Sequence, residues 1–220
     1  MQETTCIGEC GGVGAEQDTD KHVYRQCKQV HRCSPENTPK TAMAMRDLFG
    51  GAIQAPIPGE YRDVAQLRQV PDNQEVFVAE DSDDSVIVEL LEWVEDEEQG
   101  QQKTPAQLHF EVIGTHNEAQ QSELILWEEE VECRVTEAWS GLVCGVQQVA
   151  KYTRTASVLV VVGVIRMANV ATDMVISHSH PLTTQEAVTL SKDTVTQTPS
   201  YQIVRRVMQH LVVRDWSLFT

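Results

Sequence analysis

His178 and His180 stand at i and i+2, with Asp173 just upstream. In an extended strand that spacing puts both imidazoles on one face, where they could bind a metal or relay a proton with the carboxylate. No third ligand follows at a recognisable spacing, so the pair reads as part of an ordinary strand that Pro181 ends. Cys6, Cys10, Cys27 and Cys33 crowd the N-terminal stretch beside His22 and His31. Their C-x3-C and C-x5-C spacings do not match a zinc knuckle, and they assign no metal site. Ser140, Ser157 and Cys144 lack a G-x-S-x-G elbow, and no G-x-x-x-x-G-K-[ST] phosphate loop is present. The expectation is a protein with no catalytic residues, no metal and no cofactor.

Carboxylates are the more telling group. The stretch VPDNQEVFVAEDSDDSVIVELLEWV, residues 70–94, contains many Asp and Glu residues and no Lys or Arg. Val76, Phe77 and Val78, then Val86, Ile87, Val88, Leu90 and Leu91, are the β-branched and apolar runs of two neighbouring strands. An acidic loop joins them. Side chains held by a sheet keep a fixed spacing, so this hairpin's acidic rim is a candidate surface for a basic partner. The runs 95–98 and 128–132 read instead as solvated acidic faces.

The whole chain has the same sign. It carries 17 Lys and Arg against 33 Asp and Glu, a formal charge of −16 in 220 residues. Residues 1–44 contain five basic and six acidic side chains, so subtracting their −1 from −16 leaves −15 on residues 45–220. Such a field repels nucleic acid and anionic membranes and favours a basic protein partner. The longest apolar run, residues 158–165, is too short to cross a bilayer, and neither membrane insertion nor a secretory leader is expected. Six cysteines without a leader suggest a reducing compartment.

The elements that must position these residues follow from pattern. Residues 1–44 lack a sustained period and read as a disordered or poorly ordered extension, with a single domain over 45–220. Gly50 and Gly51 open a short strand at 52–55 that Pro56 and Pro58 should stop. Asp63 caps one helical turn, and Pro71-Asp72-Asn73 turns the chain into a strand at 75–79. Thr104-Pro105 starts a helix to about 115, with Leu108, Val112 and Ile113 inward. Strands follow near 124–131, 145–152, 157–167 and 173–180, then a short helical piece near 184–190. A last helix near 201–212 has Ile203, Val204, Val207, Met208 and Leu211 as its apolar stripe. Strands with short turns and few helices indicate α+β.

Several stretches, in order, carry a family resemblance: LFGGAI at 48–53, LRQVPDNQEVF at 67–77, SVIVELLE at 85–92, GVQQVAK at 145–151, TDMVIS at 172–177 and SLF at 217–219. The chain resembles the Mog-type Ran guanine-nucleotide release factors over roughly residues 48–219. The resemblance implies an α/β/α sandwich around a six- or seven-stranded, largely antiparallel sheet, a fold shared with PsbP-type proteins. It also implies a monomer that binds the small GTPase Ran and promotes release of its nucleotide, with or without a Ran-binding helper. Such a protein would serve nuclear protein import from nucleus and cytoplasm. Acids implied to contact Ran match Asp63, Glu75, Glu89 and Glu92 here, while Gln66 stands where some relatives carry a further acid.

Glu89 and Glu92 raise a geometric question. Three apart in a regular strand, they point to opposite faces, Glu89 with Leu91 and Trp93, Glu92 with Val88 and Leu90. Sharing a partner requires a bulge or strand end near Leu91, or else one glutamate is structural and pairs with an arginine such as Arg166. Trp93 reads either as sheet cover or as an interface anchor. Two other functions stay open: an adaptor using the acidic face, for instance in trafficking of membrane cargo, without nucleotide release, and a small metal protein or hydrolase built on His178 and His180.

Overall fold

A computed structural model describes residues 42–93, 103–151 and 154–219. In chain order these form β1 (Met43–Leu48), β2 (Ile53–Pro58), β3 (Arg62–Asp63), β4 (Gln74–Val78), β5 (Ser85–Glu92), α1 (Pro105–His116), β6 (Ala119–Glu129) and β7 (Trp139–Lys151). Next come β8 (Arg154–Met167), β9 (Thr172–Leu182), α2 (Thr184–Thr189), α3 (Lys192–Val195), α4 (Pro199–His210) and β10 (Val212–Val213). The cysteine-containing extension lies outside the described residues except for its last three.

Seven strands pair in the order β3-β4-β5-β9-β8-β7-β6, and every neighbouring pair is antiparallel. A small sheet, β1-β2-β10, lies apart from it. Each face of the large sheet buries its own core. On one, Val86, Val88, Leu159, Val161, Met174 and Ile176 pack with Ile203, Val204, Val207 and Met208 of α4 and with Ile53 and Ile57 of β2. On the other, Val160, Val162, Val164 and Val175 pack with Ala106 and Phe110 of α1. The expected α+β sandwich, with helices on a seven-stranded antiparallel sheet, is therefore the observed architecture.

Both packing helices begin as their sequences dictate. Thr104 accepts from the Gln107 N–H while Gln107 reaches back to the Thr104 N–H, and Pro105 fills the first turn. Thr198 caps α4 by accepting from the Tyr201 N–H, without the reciprocal bond, and Pro199 fills its first turn. Two glycines seat the helices. A Cβ on Gly145 would lie 2.4 Å from Phe110 Cζ of α1, and one on Gly163 would lie 2.4 Å from Met208 Sδ of α4.

Some boundaries differ from expectation. β1 (Met43–Leu48) is a strand that the sequence pattern does not mark, and it starts two residues before the expected domain start at Met45. Pro56 and Pro58 do not stop β2; they pair with Met45 and Met43. Among the described residues only Ile53 and Gln54 pair on the other side, with β10, so the prolines' missing N–H groups fall where no described strand pairs. Pro181 likewise sits inside β9 opposite Val158, beyond Ser179, where pairing with β5 ends. In α1, Ala106, His109, Phe110 and Gly114 are buried, and Val112 is only partly covered.

Candidate partner-binding site

Register decides which acids share a surface. Pairing of β5 with β9 runs from Ser85↔Ser179 to Glu92↔Thr172 without a shift, so no bulge forms near Leu91. Glu89 and Glu92 therefore face opposite sides of the sheet. Glu89 looks toward α1. It is half-buried beside its cross-strand neighbour Gln74, whose Nε2 donates to Glu89 Oε1 at 2.5 Å. Burial raises its pKa, opposed by the Gln74 bond and by His109 and His116. Glu92 lies on the α4 side and is exposed.

Asp63 and Glu75 fall on the Glu92 side. Asp63 pairs with Phe77, and Glu75 with Val88, whose side chains belong to the core beneath α4. Asp63 accepts from the Ala65 N–H at 2.8 Å and caps a short 3₁₀ turn, as its position before Val64 predicts. Glu75 accepts from the Phe49 N–H at 2.5 Å. Its half-buried carboxyl has a raised pKa, chiefly from desolvation; the Phe49 bond lowers it, and the nearby Asp63 charge raises it further. Three of the expected site residues thus occupy one face, and Glu89 occupies the other.

Glu89's face carries a polar cluster not foreseen from sequence. Asp173, fully buried, meets His109 Nε2 of α1 at 2.8 Å and Arg166 Nε and Nη2 at 2.7 and 2.6 Å. Arg166 also stacks over Trp93, 5.1 Å from the ring centroid, and Trp93 remains 38% exposed. Arg166 is therefore the partner of Asp173, not of Glu89 or Glu92 as one reading had it. Its guanidinium and His109 hold the Asp173 carboxyl below the usual range against the opposing effect of burial. A histidine within α1's apolar stripe and an aspartate on a β-branched strand were the available signals, because neither is buried without a partner.

His178 and His180 do share a face, but it is the one opposite Asp173, because β9 alternates. His178 Nε2 lies 3.0 Å from Tyr61 Oη, and its buried Nδ1 has no partner. His180 Nδ1 lies 2.6 Å from Asp84 Oδ1. A joint site of Asp173 with these histidines does not form. Among the described residues, no group of three His, Cys, Asp or Glu side chains is placed to hold a metal ion. The acidic run at 128–132 is less free than expected, since Glu128 accepts from Tyr201 Oη at 3.0 Å and from Arg205 at 3.4 Å, joining β6 to α4.

The chain is similar to several known proteins. The family model described as "Ran-interacting Mog1 protein" matches residues 46–181. The chain is 35% identical over 149 residues to a Danio rerio protein named Ran guanine nucleotide release factor, covering 62% of this chain and 78% of that one. It is 32% identical over 194 residues to the Schizosaccharomyces pombe nuclear import protein mog1, covering 80% and 100% respectively. Among solved structures, the Saccharomyces cerevisiae Ran-binding protein Mog1p matches with a TM-score of 0.64 at 26% identity, over 82% of this chain and all of that one.

Proposed function

We propose a function from one premise: this chain belongs to the Ran-interacting Mog1 protein family. It binds the small GTPase Ran and promotes release of the bound guanine nucleotide, in the service of nuclear protein import. The observation that carries this reading is the family match, which spans both faces of the sheet and all four candidate acids. The mechanism is linkage: a protein that binds nucleotide-free Ran more tightly than the loaded form lowers nucleotide affinity by the same factor. No bond is made or broken by this chain, and it acts as a monomer on the nuclear and cytoplasmic sides of transport.

Exposed Glu92 and its face-mate Asp63 meet a basic surface of Ran, and Glu89 is reached round the end of β5. This arrangement replaces the flat shared face that a bulge would have made. The test uses purified Ran loaded with a fluorescent guanine nucleotide, with and without a second Ran-binding protein as helper. Release is expected to accelerate with the concentration of this chain. Unchanged release in both arms, from a chain that still unfolds cooperatively, would remove the proposal. Glu92→Lys should weaken Ran binding by roughly tenfold or more, because it places like charge against the partner, while leaving thermal stability intact.

A further inference from the structure

The Phe49–Gly51 turn has an unusual backbone. Phe49 has φ of 50°, Gly50 65° and Gly51 93°. For the glycines this is the left-handed region they tolerate; for Phe49 it costs conformational energy that surrounding structure must offset. Space is not the constraint, since a Cβ on Gly50 or Gly51 would meet nothing within 4 Å. What holds the turn is chemical: the Phe49 ring packs at the margin of the α4-side core, and its N–H donates to Glu75. A carboxylate accepting from a half-buried backbone N–H is one of the stronger hydrogen bonds a turn can make.

We infer that Glu75 is a positioning residue, whose carboxylate fixes the Phe49–Gly51 turn against the rim bearing Asp63 and Glu92, so that the turn borders the partner while the Glu75 charge does not contact it. The inference rests on the proposed binding of Ran. Glu75 is the acid of the four that is committed to a backbone amide of a distant turn, 26 residues away in the chain. Glu92, exposed on the same face, is free to meet a partner in a way that half-buried Glu75 is not.

Two substitutions separate tether from charge. Glu75→Gln keeps an oxygen acceptor for the Phe49 N–H and removes the charge; Glu75→Ala removes both. Ran binding would be measured by titration alongside the wild type, and exchange of the Phe49 amide hydrogen would be followed in the free proteins. Glu75→Ala is expected to speed Phe49 exchange by about tenfold, as loss of a charged hydrogen bond implies, and to weaken Ran binding by a similar factor. Glu75→Gln should recover most of both. If Glu75→Gln binds Ran as weakly as Glu75→Ala while its Phe49 amide stays protected, the charge is the contact and the inference is overturned. Unchanged Phe49 exchange in Glu75→Ala overturns the tether itself. Should Glu75→Ala not fold, the Gln variant still decides. A wild type that fails to bind Ran removes the functional proposal instead, and the exchange arm then judges the tether alone.

Discussion

Asp173 and His178 sit five residues apart on β9, on opposite faces of the sheet, and they answer burial differently. Asp173 remains charged in the core because Arg166 and His109 supply its hydrogen bonds. Arg166→Met would leave that carboxylate with His109 alone, and the expected loss is about 3 kcal/mol in urea unfolding, the scale of a broken buried pair. His178 has no charged hydrogen-bond partner, only the Tyr61 hydroxyl at 3.0 Å from Nε2. Burial lowers its pKa to about 4, so it is neutral in the fold and must take a proton on unfolding in mild acid. The stabilising contribution is present above the unfolded value near 6.5 and is lost as pH falls toward 4. Between pH 7 and pH 5 this amounts to about 2 kcal/mol. His178→Leu should therefore lose less stability than the wild type over that interval, measured by thermal melts at each pH; parallel losses would show that another group sets the acid limb. The Asp84–His180 pair has the opposite bias and is common to both proteins, since the Asp84 bond raises His180 and favours the fold below about pH 6.5. At this scale the sequence was partly legible. Asp63 before Val64 is a cap on sight, whereas Glu75 meets Phe49 across 26 residues, and no local pattern encodes a contact of that span.

Elements were read best where one periodicity dominates. The α4 stripe is legible because its apolar residues recur at helical spacing and all are buried. In α1 the stripe contains His109 and Gly114, which blurs the period, so helical spacing points to Val112, which is only partly buried. β1 is not legible in its own six residues because its burial depends on β2, a partner that they do not specify. Glycines at helix-docking points were equally silent, since their role lies in what the opposite helix places there. Gly163 is the sharper case: an added methyl would meet Met208 Sδ at 2.4 Å and Val204 Cγ1 at 2.9 Å. Gly163→Ala should lower stability by about 1–3 kcal/mol, the usual cost of overpacking a filled core. Met208→Ala alone should cost about 2–4 kcal/mol through its cavity, and the double variant should cost less than the sum of the two. Strict additivity in denaturant titrations would mean that α4 is not seated on that glycine.

At the scale of the whole molecule, charge sets how a partner is met and register sets where. A net charge of −16 surrounds the sheet, so the long-range field draws a basic surface before any side chain touches it. The sign of that field was legible from composition alone. Placement of the acids was legible only up to a choice: alternation puts Glu89 and Glu92 on opposite faces unless a bulge intervenes, and the unshifted pairing of β5 with β9 decides it. These two facts act on different rate constants. Steering depends on the summed charge and is screened once the Debye length shrinks to about 3 Å at molar salt. Raising ionic strength from about 0.05 to 0.5 M should therefore slow association with Ran by roughly tenfold or more, with little change in dissociation. Glu92→Lys should slow association further and also speed dissociation, because it removes a contact as well as a charge. Reversal of an exposed acid far from the rim, Glu118→Lys, alters the net charge equally and should move association only slightly. Stopped-flow traces for the three proteins across that salt range separate the contributions. If Glu118→Lys and Glu92→Lys fall on one line, net charge alone governs the encounter and the rim has no special place in it.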